Sequence, residues 1–128
     1  MNPLTLEWIQ KAEGDWATAG REYRARKNPN LDAAGFHAQQ CVEKYLKARI
    51  QEAGQEVRRT HDLLIVLEVL QPVPLELAVL REGLVHLSRF AVEVRYPGTA
   101  AAVKGDVKPL IAVAKAVRRY VRHELGLP

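Results

Sequence analysis

At 128 residues, 48% hydrophobic and 27% charged, the chain suits one soluble domain with a single hydrophobic core and is too short for two. No apolar run nears the roughly 18–20 residues of a membrane-spanning helix, the start MNPLTLEW lacks the layout of a secretory signal, and the lone Cys41 excludes an intramolecular disulfide, so a cytoplasmic setting is expected. A net charge of +4 is mildly basic: it permits an acidic partner such as a nucleotide or RNA without demanding one.

Helical periodicity recurs along the chain and strand-like alternation does not. The first helix is expected to start near Asn2-Pro3 or with Thr5 as N-cap, to bury Ile9, Ala12, Trp16, Ala19 and Tyr23, and to end at Asn28-Pro29-Asn30. A second runs from about Leu31 or Asp32 to Gly54, its apolar sector formed by Ala34, Ala38, Cys41, Val42, Tyr45, Leu46 and Ala48. Thr60 then caps a short helix, His61 to Leu70, before QPVP breaks the chain. A third long helix is expected over Leu75–Val94, with Leu77, Leu80, Leu84, Leu87 and Ala91 at core spacing, ending before Pro97. After a loop over Gly98–Gly105, Asp106 caps the last helix with Pro109 in its first turn, and Leu110, Val113, Ala114, Val117, Val121 and Leu125 face inward. The expected fold is therefore all-α: an antiparallel up-and-down four-helix bundle with one additional short helix, as a single domain over residues 1–128.

Four features stand out as candidates for chemistry. His37, Gln40, Glu43, Lys44 and Lys47 form a polar ribbon on the second helix that could meet an anionic molecule or a partner; a solvated face is the alternative. His61 and Asp62 lie at the start of the short helix, where an anion could bind or where the residues simply cap it. Arg95 and Tyr96 precede a Pro-Gly break, placing a forked guanidinium and a flat ring at a bundle end; closing the helix terminus is the alternative. Lys108, Lys115, Arg118, Arg119 and Arg122 make a basic stripe on the last helix, without aromatic residues interleaved along it. The scattered histidines offer no metal-ligand spacing, and no phosphate-binding glycine loop occurs.

The ordered set FHAQQCVEKYLKA, THDL and RYPG resembles the HEPN domain family (higher eukaryotes and prokaryotes nucleotide-binding). Under that resemblance Gln40, Glu43, Lys44 and Lys47 match the second-helix motif, His61 and Asp62 the HD motif, and Arg95, Tyr96 and Pro97 the RYP motif. The resemblance implies a homodimeric helical bundle that partners a small nucleotidyltransferase, in some cases as a toxin–antitoxin pair. Family ribonucleases carry an Arg and a His separated by four to six residues. After Arg95 this chain reads YPGTAAAV, with no His; that spacing occurs only at Arg81/His86 and Arg118/His123. The expected function is thus a non-catalytic module binding a nucleotide, with no other cofactor or metal, and with a nucleotidyltransferase, RNA or a second copy as partner. A metal-independent RNase toxin and a purely structural dimer subunit are the alternatives.

Overall fold

The computed structural model describes all 128 residues. Six helices are present: α1 (Pro3–Arg24), α2 (Leu31–Glu52), α3 (Leu63–Glu68), α4 (Leu75–Ala78), α5 (Arg81–Glu93) and α6 (Lys104–Glu124). Four are long and two are short. No helix is long and apolar enough to cross a membrane.

α1 and α2 pack most extensively, and α2 also touches α3, α5 and α6, so it is the central helix of the fold. Its Ala34, Ala38, Cys41, Val42, Tyr45, Leu46, Ala48 and Ile50 are buried. All of these but Ala34 meet Ile9, Ala12 and Ala19 of α1, Leu84 and Leu87 of α5, and Leu110, Ala114, Val117 and Val121 of α6 in one hydrophobic cluster. The apolar stripes expected from helical spacing are thus the buried ones, apart from partly buried Trp16, Tyr23, Leu80, Val113 and Leu125.

Several boundaries differ from the sequence expectation, each for a local reason. Asn2 caps α1, its carboxamide oxygen accepting the Leu4 N–H at 2.8 Å, and the helix stops at Arg24, well before Pro29. Asn30 caps α2 through the Ala33 N–H at 3.0 Å. Asp62, not Thr60, caps α3, accepting from the Leu64 N–H (3.0 Å) and the Ile65 N–H (3.4 Å). His61 and Asp62 therefore precede the helix instead of forming its first turn.

The expected helix over Leu75–Val94 is two helices, so the fold is not a four-helix bundle plus one short helix. Leu80, at φ −95° and ψ 2°, separates α4 from α5. α4 touches α6, and α5 packs on α2, α3 and α6. In α6, Asp106 lies within the first turn, its carboxylate accepting the Val103 N–H at 3.0 Å. Pro109 is consequently in the second turn, and the carbonyl it leaves unpaired belongs to exposed Gly105.

Candidate functional site

The polar ribbon of α2 is not a solvated face; packing divides it between two clusters. Toward α1, the nearly buried Asp15 takes both His37 and Lys44: Asp15 Oδ1 lies 2.7 Å from His37 Nδ1, and Lys44 Nζ donates to Oδ2 at 2.5 Å. Toward the segment ahead of α3, the Glu43 carboxylate lies 2.9 Å from His61 Nδ1 and accepts from Lys47 Nζ at 3.0 Å and Gln39 Nε2 at 3.3 Å. Lys47 also donates to the Thr60 carbonyl at 3.0 Å and lies 5.6 Å from the centre of the Trp8 ring. The side chains of Glu43 and Lys47 are only 4% and 6% exposed, which makes them a buried ion pair rather than groups a ligand can touch. Gln40 donates to Gln39 Oε1 at 2.7 Å. Lys47 is enclosed with Glu43, whereas His37 and Lys44, 32% and 22% exposed, are held on Asp15.

His61 and Asp62 come together with Arg95. A cavity of about 210 Å³ is lined by Gln39, His61, Asp62, Ser88, Ala91, Val92 and Arg95. Each wall has a local cause. Because Asp62 rather than Thr60 caps α3, His61 stays outside the helix, where it turns its Nδ1 to Glu43 and leaves Nε2 without a protein partner. Ser88 Oγ accepts the Leu63 N–H at 3.1 Å, tying α5 to the start of α3. Arg95 follows the last turn of α5; its guanidinium lies 5.1 Å from the centre of the Phe36 ring and has no carboxylate partner. The cavity thus presents one unpaired guanidinium, one imidazole edge and the second Asp62 oxygen. Tyr96 stands outside it, 65% exposed.

Neither Arg/His pair of ribonuclease spacing has a free guanidinium. Arg81 donates twice to Glu68 Oε1, at 3.2 and 3.0 Å. Arg118 grips Glu13 in a fork, at 2.7 and 2.8 Å. The Arg118 bonds, assisted by the Tyr45 hydroxyl, hold the Glu13 carboxyl below its ordinary range against the opposing effect of burial. Burial also pushes the Cys41 thiol up, so it is an inert core group.

The sequence model of the HEPN domain family matches residues 5–124, nearly the whole chain. The chain belongs to the HEPN domain family. Its fold is similar to the crystal structure of an archaeal HEPN homologue, with a TM-score of 0.72 and 22% identity over 94% of this chain and 96% of that one. No curated protein matches significantly. Within this HEPN domain, sequence reasoning missed Asp15, Gln39, Ser88 and Phe36. Only Asp15 left a trace, as an acid between the expected core positions Ala12 and Trp16 of α1.

Proposed function

We propose that this HEPN domain is a non-catalytic nucleotide-binding module that works beside a small nucleotidyltransferase as one half of a toxin–antitoxin pair, and that it does so as a homodimer. The observation that carries the reading is the meeting of His61, Asp62 and Arg95 at one cavity, with His61 held from behind by buried Glu43. A guanidinium with no internal carboxylate is suited to a phosphate, whose oxygens match its fork. The Asp62 oxygen not used in capping can accept from a sugar hydroxyl. About 210 Å³ is below the roughly 300–1,000 Å³ of pockets that engulf a drug-sized ligand. Phosphate and sugar would enter, and the base would lie outside, within reach of the exposed Tyr96 ring. Val92 on the cavity rim and Tyr96 beyond Arg95 are large exposed apolar side chains, the kind a partner chain covers.

Calorimetric titration with ATP and GTP tests the module. The parent should bind, Arg95→Ala and His61→Ala should each weaken binding about tenfold or more, and Lys11→Glu, at an exposed position of α1, should leave affinity unchanged. Absence of heat from the parent at millimolar nucleotide would refute the ligand reading. Failure to co-purify with a nucleotidyltransferase encoded beside it would refute the partnership.

A further inference from the structure

His61 is held more firmly than an exposed side chain usually is. Its ring Nδ1 lies 2.9 Å from Glu43 Oε1, its carbonyl accepts from Gln39 Nε2 at 3.2 Å, and the Thr60 carbonyl before it accepts from Lys47 Nζ at 3.0 Å. Gln40 fixes the Gln39 amide in turn, donating to its Oε1 at 2.7 Å. Three attachments to α2 therefore set both backbone and ring, although the His61 side chain is 71% exposed.

Those attachments also decide where the ring carries its proton. Glu43 is enclosed beside the Lys47 ammonium and accepts from Lys47 and Gln39, as an ionised carboxylate does. Such a group only accepts, so its contact with Nδ1 requires a proton on that nitrogen. A neutral imidazole has one N–H, and with that proton committed to Glu43, Nε2 is a bare lone pair. In that state Nε2 and the free Asp62 oxygen both turn electron pairs on an anion, and the Arg95 guanidinium alone supplies positive charge. A second proton makes Nε2 a donor and adds a positive charge at the same cavity as Arg95, with no movement of the ring. The charged groups around the ring are Glu43 and Lys47 from α2, Asp62 from the segment before α3, and Arg95 after α5; Ser88 of α5 is neutral.

We propose that Glu43 is a positioning residue whose grip on Nδ1 makes the cavity's affinity for a phosphoryl-like dianion depend on a second proton at His61 Nε2. The inference rests on this cavity being the phosphate site proposed for it, and adds a dependence on pH. Anion binding is strongest where the imidazole is doubly protonated and is lost as pH rises through the imidazole range of about 5 to 8. By linkage, the bound anion holds that proton more tightly by the same factor. A hydroxyl group, which donates, fits the neutral state instead.

Sulfate is the probe, because it is tetrahedral and keeps two negative charges throughout this range. Ring nitrogen shifts of histidine-labelled protein report the proton's position, with His61→Gln assigning the His61 signals. At about pH 8.5 the His61 proton should sit on Nδ1. Sulfate affinity should fall at least about tenfold between about pH 5.5 and about pH 8.5, and saturating sulfate should raise the midpoint of the His61 titration by the logarithm of that factor. His37, held the same way on Asp15 but outside the cavity, is the internal control, and sulfate should leave its titration unmoved. The pH dependence should vanish in His61→Gln. In E43L/K47M the neutral His61 proton should move toward Nε2 and the affinity ratio should shrink. A parent protein with that proton on Nε2, with no sulfate binding at about pH 5.5, or with a flat affinity across the range would overturn the proposal even if ATP binds. Sulfate results as expected without heat from ATP would sustain the proton-linked anion site and refute the nucleotide alone.

Discussion

Replacing Lys47 by Met removes the ammonium but keeps an unbranched stem, and it leaves the Glu43 carboxylate enclosed with only His61 and Gln39 beside it. Replacing Glu43 by Leu does the reverse, leaving the Lys47 ammonium with only the Thr60 carbonyl and the Trp8 ring. Both side chains are almost fully enclosed, so breaking the pair from either side should cost about 3–5 kcal/mol. The combined E43L/K47M protein places two apolar side chains where two charges stood. Gln39 keeps the His61 carbonyl as acceptor at 3.2 Å, and the largely exposed His61 can turn to water. Its cost should be only about 0–2 kcal/mol, a coupling of several kcal/mol between the sites. For a chain of this length 1 kcal/mol corresponds to roughly 4 °C in Tm, so each single variant should melt about 12–20 °C below the parent and the double variant within about 8 °C of it. Urea unfolding of the four proteins closes the cycle. Additive single costs of about 1 kcal/mol or less would refute the assignment of this pair as a buried structural unit.

Two further outcomes test the packing and the charges. A Cβ at Gly35 would lie 2.2 Å from Phe90 Cε1, so Gly35→Ala should destabilise by about 1–2 kcal/mol net of improved helix propensity, while Gly14→Ala, with nothing within 4 Å, should stabilise by up to about 1 kcal/mol; chemical denaturation separates them. The folded-state pKa of Glu13 is held below its ordinary 4.5, so its contribution to stability is complete above that value and is lost as pH falls through the lower, folded-state value. Glu13→Gln should flatten the acid limb of a stability–pH profile below about pH 4.5; an unchanged acid limb would contradict the Arg118 clamp.

The sequence carried the long helices well because their ends are marked chemically, by Asn2-Pro3, Asn30 and Gly54, whose φ is +73°. The α4–α5 break was not legible, since Leu77, Leu80, Leu84 and Leu87 keep helical spacing through it and no proline intervenes. Of the candidate site, His61, Asp62 and Arg95 were visible as motifs. The fate of Lys44 and Lys47 was not. A lysine on the polar side of a helix reads as solvated unless the neighbouring helix is known, and α2 is covered on so many sides that its polar ribbon meets neighbouring segments too. Trp16 was read as a core residue of α1, and only the tertiary fold places it beside the cations of α6.

The two carboxylates that hold α2 also bear on how uniquely this chain packs. Alanines at 34, 38 and 48 leave part of α2 smooth, so that apolar resistance to sliding by a turn or rotating by one residue rests on Val42, Tyr45, Leu46 and Ile50. Asp15 and Glu43 forbid both movements, because either displacement would separate His37, Lys44 and His61 from their acceptors together. The polar clusters thus act as keys that reinforce the alignment the core side chains select. Apolar replacements that preserve stability could still permit shifted alignments, and side-chain order would report this change sooner than melting temperature.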